Sequence, residues 1–548
     1  MVPTNCSVVI VGGGPCGLML ANELGRRDIS VVLLDEKATT AFNPQANATQ
    51  ARTMEHFRRL GFADEIRALG LPPDFPTDIA YFTRFAGYEL GRFSLPSSRE
   101  AKANFAVKGG SWSTAEPPHR VSQKFVEAVL RKQAARLPGV HIHYGWRMTS
   151  FGDHGDHVEA RAERVEDGAA QTIKADYLIG ADGSRSAVRH SLGIRYAGEA
   201  GVVRDFFGGR MYAIYLKAPR FYELVPHKPA WMNVTFNPER RAFMAAVDGK
   251  GEFAFHTQLR DDEDENEISQ RQAKDMFQIS VGAPVEAEIL SRSTWTAGYT
   301  LVAEGFQKGR VFLGGDAVHL FTPTGGLGYN TAIEDAVNLG WKLAAALKGR
   351  GGPDLLASYE IERRPNAVRN TGYARGFADS VGLYEPVAEI EDDSEAGRAA
   401  REEAGAYLAA HGKAEFNIPG ITFGARFDGS PVIVSDGTDP PPDTANSYVP
   451  TACPGGRAPH LWLAPERSLY DEFGFEWTLL RLGPNAPAGE AFARAAAGLD
   501  LKVLHVDTDE ARDLYGADLA LIRPDQVVAW RGNSDADAET VIATVTGR

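Results

Sequence analysis

Gly12, Gly14 and Gly17 stand in GxGxxG spacing, with Pro15 among them and the apolar run at residues 8–11 just before. Glycines so placed can hold a pyrophosphate. Gly12 permits the tight turn, Gly14 lets the backbone approach the phosphates, and Gly17 lets a helix pack close to the strand. The N-terminus of that helix offers free N–H groups to the anion. Asp35, followed by Glu36, lies 18 residues after Gly17, where a carboxylate can accept hydrogen bonds from a ribose. Two more glycine–acid pairs, Asp182-Gly183 and Gly315-Asp316, follow the apolar runs 175–181 and 311–313. Open α/β folds bind ligands at the carboxyl ends of their strands, so one extended cofactor touching all three motifs explains their wide separation. Gly325, Gly326 and Gly328 precede a long helical pattern and suit a second part of that cofactor. Taken singly, each motif also reads as an ordinary turn, Asp182-Gly183 above all.

The elements that must position these groups follow from periodicity. Residues 8–11 predict a buried strand, 18–24 a helix and 29–34 a second strand, which is the context the fingerprint requires. Met54, Phe57 and Leu60 predict a helix over 53–60, with Arg52 at its start. An amphipathic helix spans 119–137, and 71–98 reads as loops and short strands. Residues 211–216, 231–236 and 241–247 read as strands of a separate, mostly antiparallel domain. Its Phe206, Phe207, Met211, Tyr212, Tyr215, Phe221, Tyr222, Trp231, Met232, Phe236 and Trp295 suit a flat apolar ligand, or simply a core. Arg204, Arg220, Arg240 and Arg292 could meet a carboxylate there. Helices are expected over 330–347, 355–364 and 366–415, and Pro/Gly-rich residues 425–452 mark a boundary before a last α/β unit. The expected domains are 1–199 with 300–370, then 200–299, a helical linker at 371–430, and 431–548.

The chain has 548 residues, 43% of them apolar, enough for two or three domains. A net charge of -14 argues against broad nucleic-acid binding, which needs positive fields. Cys6, Cys16 and Cys453 support neither a disulfide framework nor a zinc cluster, and no metal site is expected. The first strand begins almost at once, leaving no room for a signal peptide, and no window holds 18 uninterrupted apolar residues. A cytoplasmic protein without membrane contact is the expectation.

With these motifs the chain resembles the single-component flavoprotein aromatic hydroxylases, the class typified by para-hydroxybenzoate hydroxylase. The resemblance implies an α/β fold: a Rossmann-like FAD-binding domain, an interleaved, mostly antiparallel substrate domain, and a C-terminal thioredoxin-like domain. The first motif would hold the ADP half of FAD. Residues 179–183 with Ser186 and Arg189 would serve FAD and NADH or NADPH, and 314–319 with Pro323 the ribitol and pyrophosphate side. Gly325, Gly326, Leu327, Gly328 and Asn330 would lie by the flavin ring, while Arg52 and Gln123 match family residues near the cofactor. Residues 453–460, 523–525 and 529–531 resemble the C-terminal domain of phenol-hydroxylase-like and polyketide-hydroxylase-like members; with Cys453 alone there, it can run no dithiol reaction.

One position departs from the family pattern. Where phenol hydroxylase carries an aspartate that deprotonates the substrate, this chain has Asn47, which cannot take a proton. Tyr215, His227 and Tyr299 are the candidate substitutes. The resemblance implies an NAD(P)H-driven monooxygenase acting on a small phenol or phenolic acid through a flavin C4a-hydroperoxide. O2 would be co-substrate and the assembly a homodimer. Polyketide tailoring by hydroxylation, epoxidation or Baeyer–Villiger oxidation, and a non-catalytic flavin-binding role, are the competing expectations.

Overall fold

In the computed structural model, which describes residues 2–105, 109–201, 206 and 208–548, the opening motif lies at the centre of an eight-stranded sheet. Strand Asn5–Val11 pairs in parallel with Val31–Asp35 on one side and Ala170–Gly180 on the other. Val140–Tyr144 extends one flank, and Val311–Leu313 the other. Val8, Val9 and Ile10 are fully buried, because a central parallel strand is covered on both faces and needs a continuous apolar run. Helices Pro15–Gly25 and Leu327–Leu347 pack against each other over this sheet. All three glycine–acid motifs therefore open at the carboxyl ends of neighbouring parallel strands.

A second sheet of seven strands carries the order 288–297, 209–217, 252–258, 242–246, 232–235, 79–82, 89–93. It is antiparallel except where Met232–Thr235 runs parallel to Ile79–Phe82. Residues 79–93 thus join strands that lie more than a hundred residues further along the chain, a pairing that local periodicity cannot announce. One face of this sheet packs on helix Gln270–Val281 through Ile214, Met244, Phe253, Phe255, Met276 and Phe277.

The helix starting at Pro353 does not stop near residue 364 but runs unbroken to Gly382 with Pro365 inside it. Proline removes one intrahelical hydrogen bond. Burial of Tyr359, Glu362, Arg363, Asn366 and Ala367 around it outweighs that local cost.

The C-terminal unit orders its strands 502–506, 478–482, 519–522, 528–532, with the first pair parallel and the rest antiparallel, and helices Glu490–Ala495, Asp509–Tyr515 and Ala538–Val545 between and after them. This βαβαββα succession is thioredoxin-like. It is bound to the rest of the chain by buried ion pairs. Arg523 donates to both oxygens of Glu362 at 2.7 and 2.9 Å, and Lys342 reaches the same carboxylate at 2.6 Å. Arg457 and Arg52 both pair with Glu55. Among the described residues, no helix is long and apolar enough to cross a membrane.

Candidate active site

The glycine cradle is tight where the chain touches itself and open where a ligand would lie. Gly12 has φ +112°, and a Cβ there would sit 2.1 Å from the Ala181 carbonyl oxygen. At Gly17 a Cβ would meet the Gly12 oxygen at 2.0 Å; this residue seats the helix on the strand and does not face the cavity. Gly14 has nothing within 4 Å and borders the cavity. Pro15 opens the helix, where its missing N–H costs no intrahelical bond. Asp35 accepts from the Gly13 N–H at 2.6 Å and the Lys37 N–H at 2.8 Å, and lines the cavity with Glu36. Asp182 accepts from the Val188 N–H at 3.1 Å through one oxygen; its other oxygen is buried without a protein partner. Gly183, Gly315 and Asp316 continue the wall. Behind them Asp335 accepts from the Gly315 N–H at 3.1 Å and pairs with His319 and Arg363 at 2.7 and 2.8 Å. Burial works against its charge, but those two partners outweigh it and hold the carboxyl low.

The turn from Pro323 to Gly328 forms the next stretch of wall. Gly326 has φ +65°, and a Cβ there would come within 2.9 Å of the Ala48 Cβ. Leu327 and Gly328 begin the long helix and also border the cavity. The Gly325 N–H is held by Glu415 at 2.8 Å, which pairs with His411 at 2.8 Å. Both acid and imidazole come from helix Glu395–Phe416, and nothing in their local sequence marks them as part of the site. Asn330 stays behind the wall. It accepts from the Gln50 N–H and the Thr53 hydroxyl at 2.9 and 2.7 Å, and donates to the Ala48 and Gly326 carbonyls at 3.0 and 2.6 Å. It thereby fixes the loop carrying Asn47. Asn47 faces the cavity with a buried Oδ1 that has no protein partner. Gln123 lines the cavity, and its backbone N–H holds the Ala46 carbonyl at 2.7 Å.

Across the cavity, whose volume is about 1360 Å³, stands the second face of the seven-stranded sheet. Strand register aligns two rows of side chains on it. One row runs Ser291, Tyr215, Ala254, Ala245, Met232, Ile79; the other runs Ser293, Ala213, His256, Phe243, Val234, Tyr81. Every member of both rows lines the cavity. Alternation along the strands produces this division, since neighbouring residues point to opposite faces. Trp231 and Trp295 flank the rows, Tyr212 and Phe221 fill the core behind, and Phe206 and Phe236 pack on Phe243 and Tyr81 of the second row.

The candidate bases separate on this geometry. The Tyr215 hydroxyl reaches the cavity wall but is engaged by Lys124 at 2.5 Å and by Glu252; burial and then Glu252 push its ionisation above the ordinary tyrosine range. Tyr299 also lines the cavity. His227 does not: it hydrogen-bonds the Gly87 carbonyl at 2.7 Å and packs on Phe82 at the far side of the sheet. Arg52 likewise turns from the cavity, donating to Glu55 at 2.9 Å, Gln526 at 2.7 Å and the Asp525 carbonyl at 2.6 Å. Glu55 is a neighbour on the same helix, but Gln526 and Asp525 belong to the C-terminal unit, so the sequence around residue 52 could not foretell them. Arg220 pairs with exposed Glu223, Arg240 with Glu263, and Arg292 with the Ile268 carbonyl; none lines the cavity. Arg204 and Phe207 lie outside the described residues.

Comparison with known proteins identifies the family. Residues 5–373 match the FAD binding domain family, and residues 451–548 match the aromatic-ring hydroxylase C-terminal family. A phenol 2-monooxygenase of Pseudomonas sp. (strain EST1001) is 30% identical over 98% of this chain and 92% of its own. The structure of RebC with bound 7-carboxy-K252c superposes with a TM-score of 0.89 at 32% identity, covering 100% of this chain and 99% of that one. An aklavinone-11 hydroxylase in complex with FAD and aklavinone gives 0.84 at 28% identity, with full coverage of both chains.

Proposed function

This chain belongs to the FAD-dependent aromatic-ring hydroxylases, and from that premise we propose that it uses NADH or NADPH and O2 to hydroxylate a small phenolic or phenolic-acid ring. It is an FAD-dependent aromatic monooxygenase with NAD(P)H as electron donor. The observation that carries the substrate reading is the largely apolar two-row wall opposite the turn at residues 323–328, across one cavity.

The chain's own groups fit FAD. The Gly12 turn is filled by backbone, Gly14 is open, the helix starting at Pro15 presents its N-terminus, and Asp182 keeps an unpartnered buried oxygen toward the cavity. Residues 12–15, Asp35, Glu36, Asp182 and Asp316 would hold the adenosine and phosphate side; Pro323, Gly326, Leu327 and Gly328 would adjoin the ring. When bound, FAD supplies the electron transfer from the nicotinamide and the activation of O2 that lead to ring hydroxylation. The protein orients the substrate between wall and turn and keeps water out. Asn47 Oδ1 accepts a hydrogen bond from a ring hydroxyl without removing its proton, which leaves the oxygen electron-rich. Tyr299 remains the candidate base on the cavity.

A second reading, tailoring of a larger polycyclic or polyketide ring, is favoured by the wall's width. Six strands contribute to each row, which at ~4.8 Å per strand spans about 24 Å, more than one benzene ring needs. The test is direct. The purified protein is examined for a flavin spectrum, then assayed for NADH and NADPH consumption with single-ring phenols and with polycyclic phenols, products being identified by mass spectrometry. Stimulated consumption with a hydroxylated single-ring product supports the first reading, and a polycyclic product alone replaces it with the second. Protein that takes up no FAD overturns both.

A further inference from the structure

His256 sits in the middle of an otherwise apolar stretch of the wall, between Ala213 and Phe243 in its row. Its ring stacks on Phe243 with centroids 4.5 Å apart and planes 6° from parallel. The Trp295 indole N–H donates to His256 Nδ1 at 3.1 Å. An indole nitrogen can only donate, so Nδ1 must carry a lone pair and the ring proton must reside on Nε2. Nε2 has no hydrogen-bond partner among the described residues, and the residue lines the cavity. Trp295 fixes the tautomer and the stack fixes the ring plane, which together leave one N–H donor without a partner among the described residues.

We propose that His256 is a specificity-determining residue whose Nε2–H donates to a neutral carbonyl oxygen carried by the aromatic substrate. This rests on the hydroxylase reading above and narrows its substrate class to rings bearing a keto or related carbonyl group. A neutral acceptor is specified because the imidazole is itself neutral and its row neighbours Ala213, Phe243 and Val234 supply no charge; an anion left there would stay uncompensated. Burial agrees, holding the imidazolium down to about 4. A site built to donate a hydrogen bond discriminates against the analogue that lacks the acceptor, since its polar group is then left unpaired.

The test uses FAD-loaded protein and two pairs of ligands that differ in one carbonyl oxygen: 3-hydroxyacetophenone against 3-ethylphenol, and 6-hydroxy-1-tetralone against 5,6,7,8-tetrahydro-2-naphthol. Dissociation constants are read from the perturbation of the flavin absorbance. The native protein should prefer the ketone of at least one pair. His256→Phe, which keeps the stack, should cut that preference about three- to tenfold, the range of a net hydrogen bond, without moving the affinity of the partner lacking the carbonyl. His256→Gln, which restores a donor, should recover part of it. No preference in the native protein, or an unchanged preference in His256→Phe, overturns the proposal. Selective imidazole ¹⁵N NMR supplies a reading that needs no ligand: the neutral Nε2–H form is expected between pH 6 and 8, and the Nδ1–H form or the imidazolium there overturns the assignment. If no ring stimulates NAD(P)H oxidation, the hydroxylase reading fails separately, and the binding and NMR results still judge His256.

Discussion

At residue scale, Asn47 and Gly12 give the sharpest tests. Asn47 brings an unpaired acceptor to the cavity but no titratable group. Asn47→Asp should add an ionisation to the pH profile of kcat/KM on phenols. Burial raises a carboxyl, so the new limb should rise with pH at or above the ordinary aspartate value of about 4. A profile superimposable on the native one removes position 47 from contact with the phenol. Gly12→Val should abolish flavin uptake, because its Cβ would overlap the Ala181 oxygen at a φ that side chains rarely adopt. The ratio of flavin to protein absorbance after purification measures this. Gly12 was legible in the sequence because the turn it makes is local. The roles of Arg52 and His227 were not, since Arg52 is claimed by residues 473 and 474 positions away and His227 by the Gly87 carbonyl.

At element scale, helix Pro353–Gly382 joins the FAD-binding core to the C-terminal unit. Its Glu362 receives Lys342 from one neighbour and Arg523 from the other, all three being fully buried. Removing that one negative charge leaves buried Lys342 without its anion and Arg523 with Asp525 alone. Glu362→Gln should therefore destabilise the protein by roughly 3–5 kcal/mol in urea unfolding. A loss below 1 kcal/mol would mean that the cations find other partners. The helical period of this segment was readable, but its continuity past Pro365 was not. Tertiary burial decides that, and local propensity is silent about it.

At the scale of the whole molecule, Arg457 of the C-terminal unit, with Arg52, holds Glu55 on the helix that follows the Asn47 loop. Burial works to raise the Glu55 carboxyl, but Arg457 and Arg52 outweigh it and lower it from 4.5 to about 2. A depressed folded-state value stabilises the protein above the unfolded value, and that contribution is lost as pH falls from about 4.5 toward 2. The melting temperature should fall across this window. Glu55→Gln should melt lower at pH 7 and show a shallower acid dependence; parallel curves for the two proteins would remove Glu55 from the acid response. Three strand–glycine motifs announced the cofactor half of this fold because each is contiguous. The substrate wall was only partly legible. Its strands at 209–258 alternate visibly, yet the strand at 79–82 that completes both rows comes from the far side of the sequence.

The two-row wall also bears on how such a protein changes its diet. Along Ala242–Ala246, Phe243 and Ala245 meet the ligand space while Met244 and Ala246 belong to the core. Strand parity assigns recognition and folding to alternate letters of the same words. Drift at the odd positions here can redraw what the cavity accepts while the even ones go on holding the sheet to its helix, so a lineage can change substrates one residue at a time without rebuilding its scaffold.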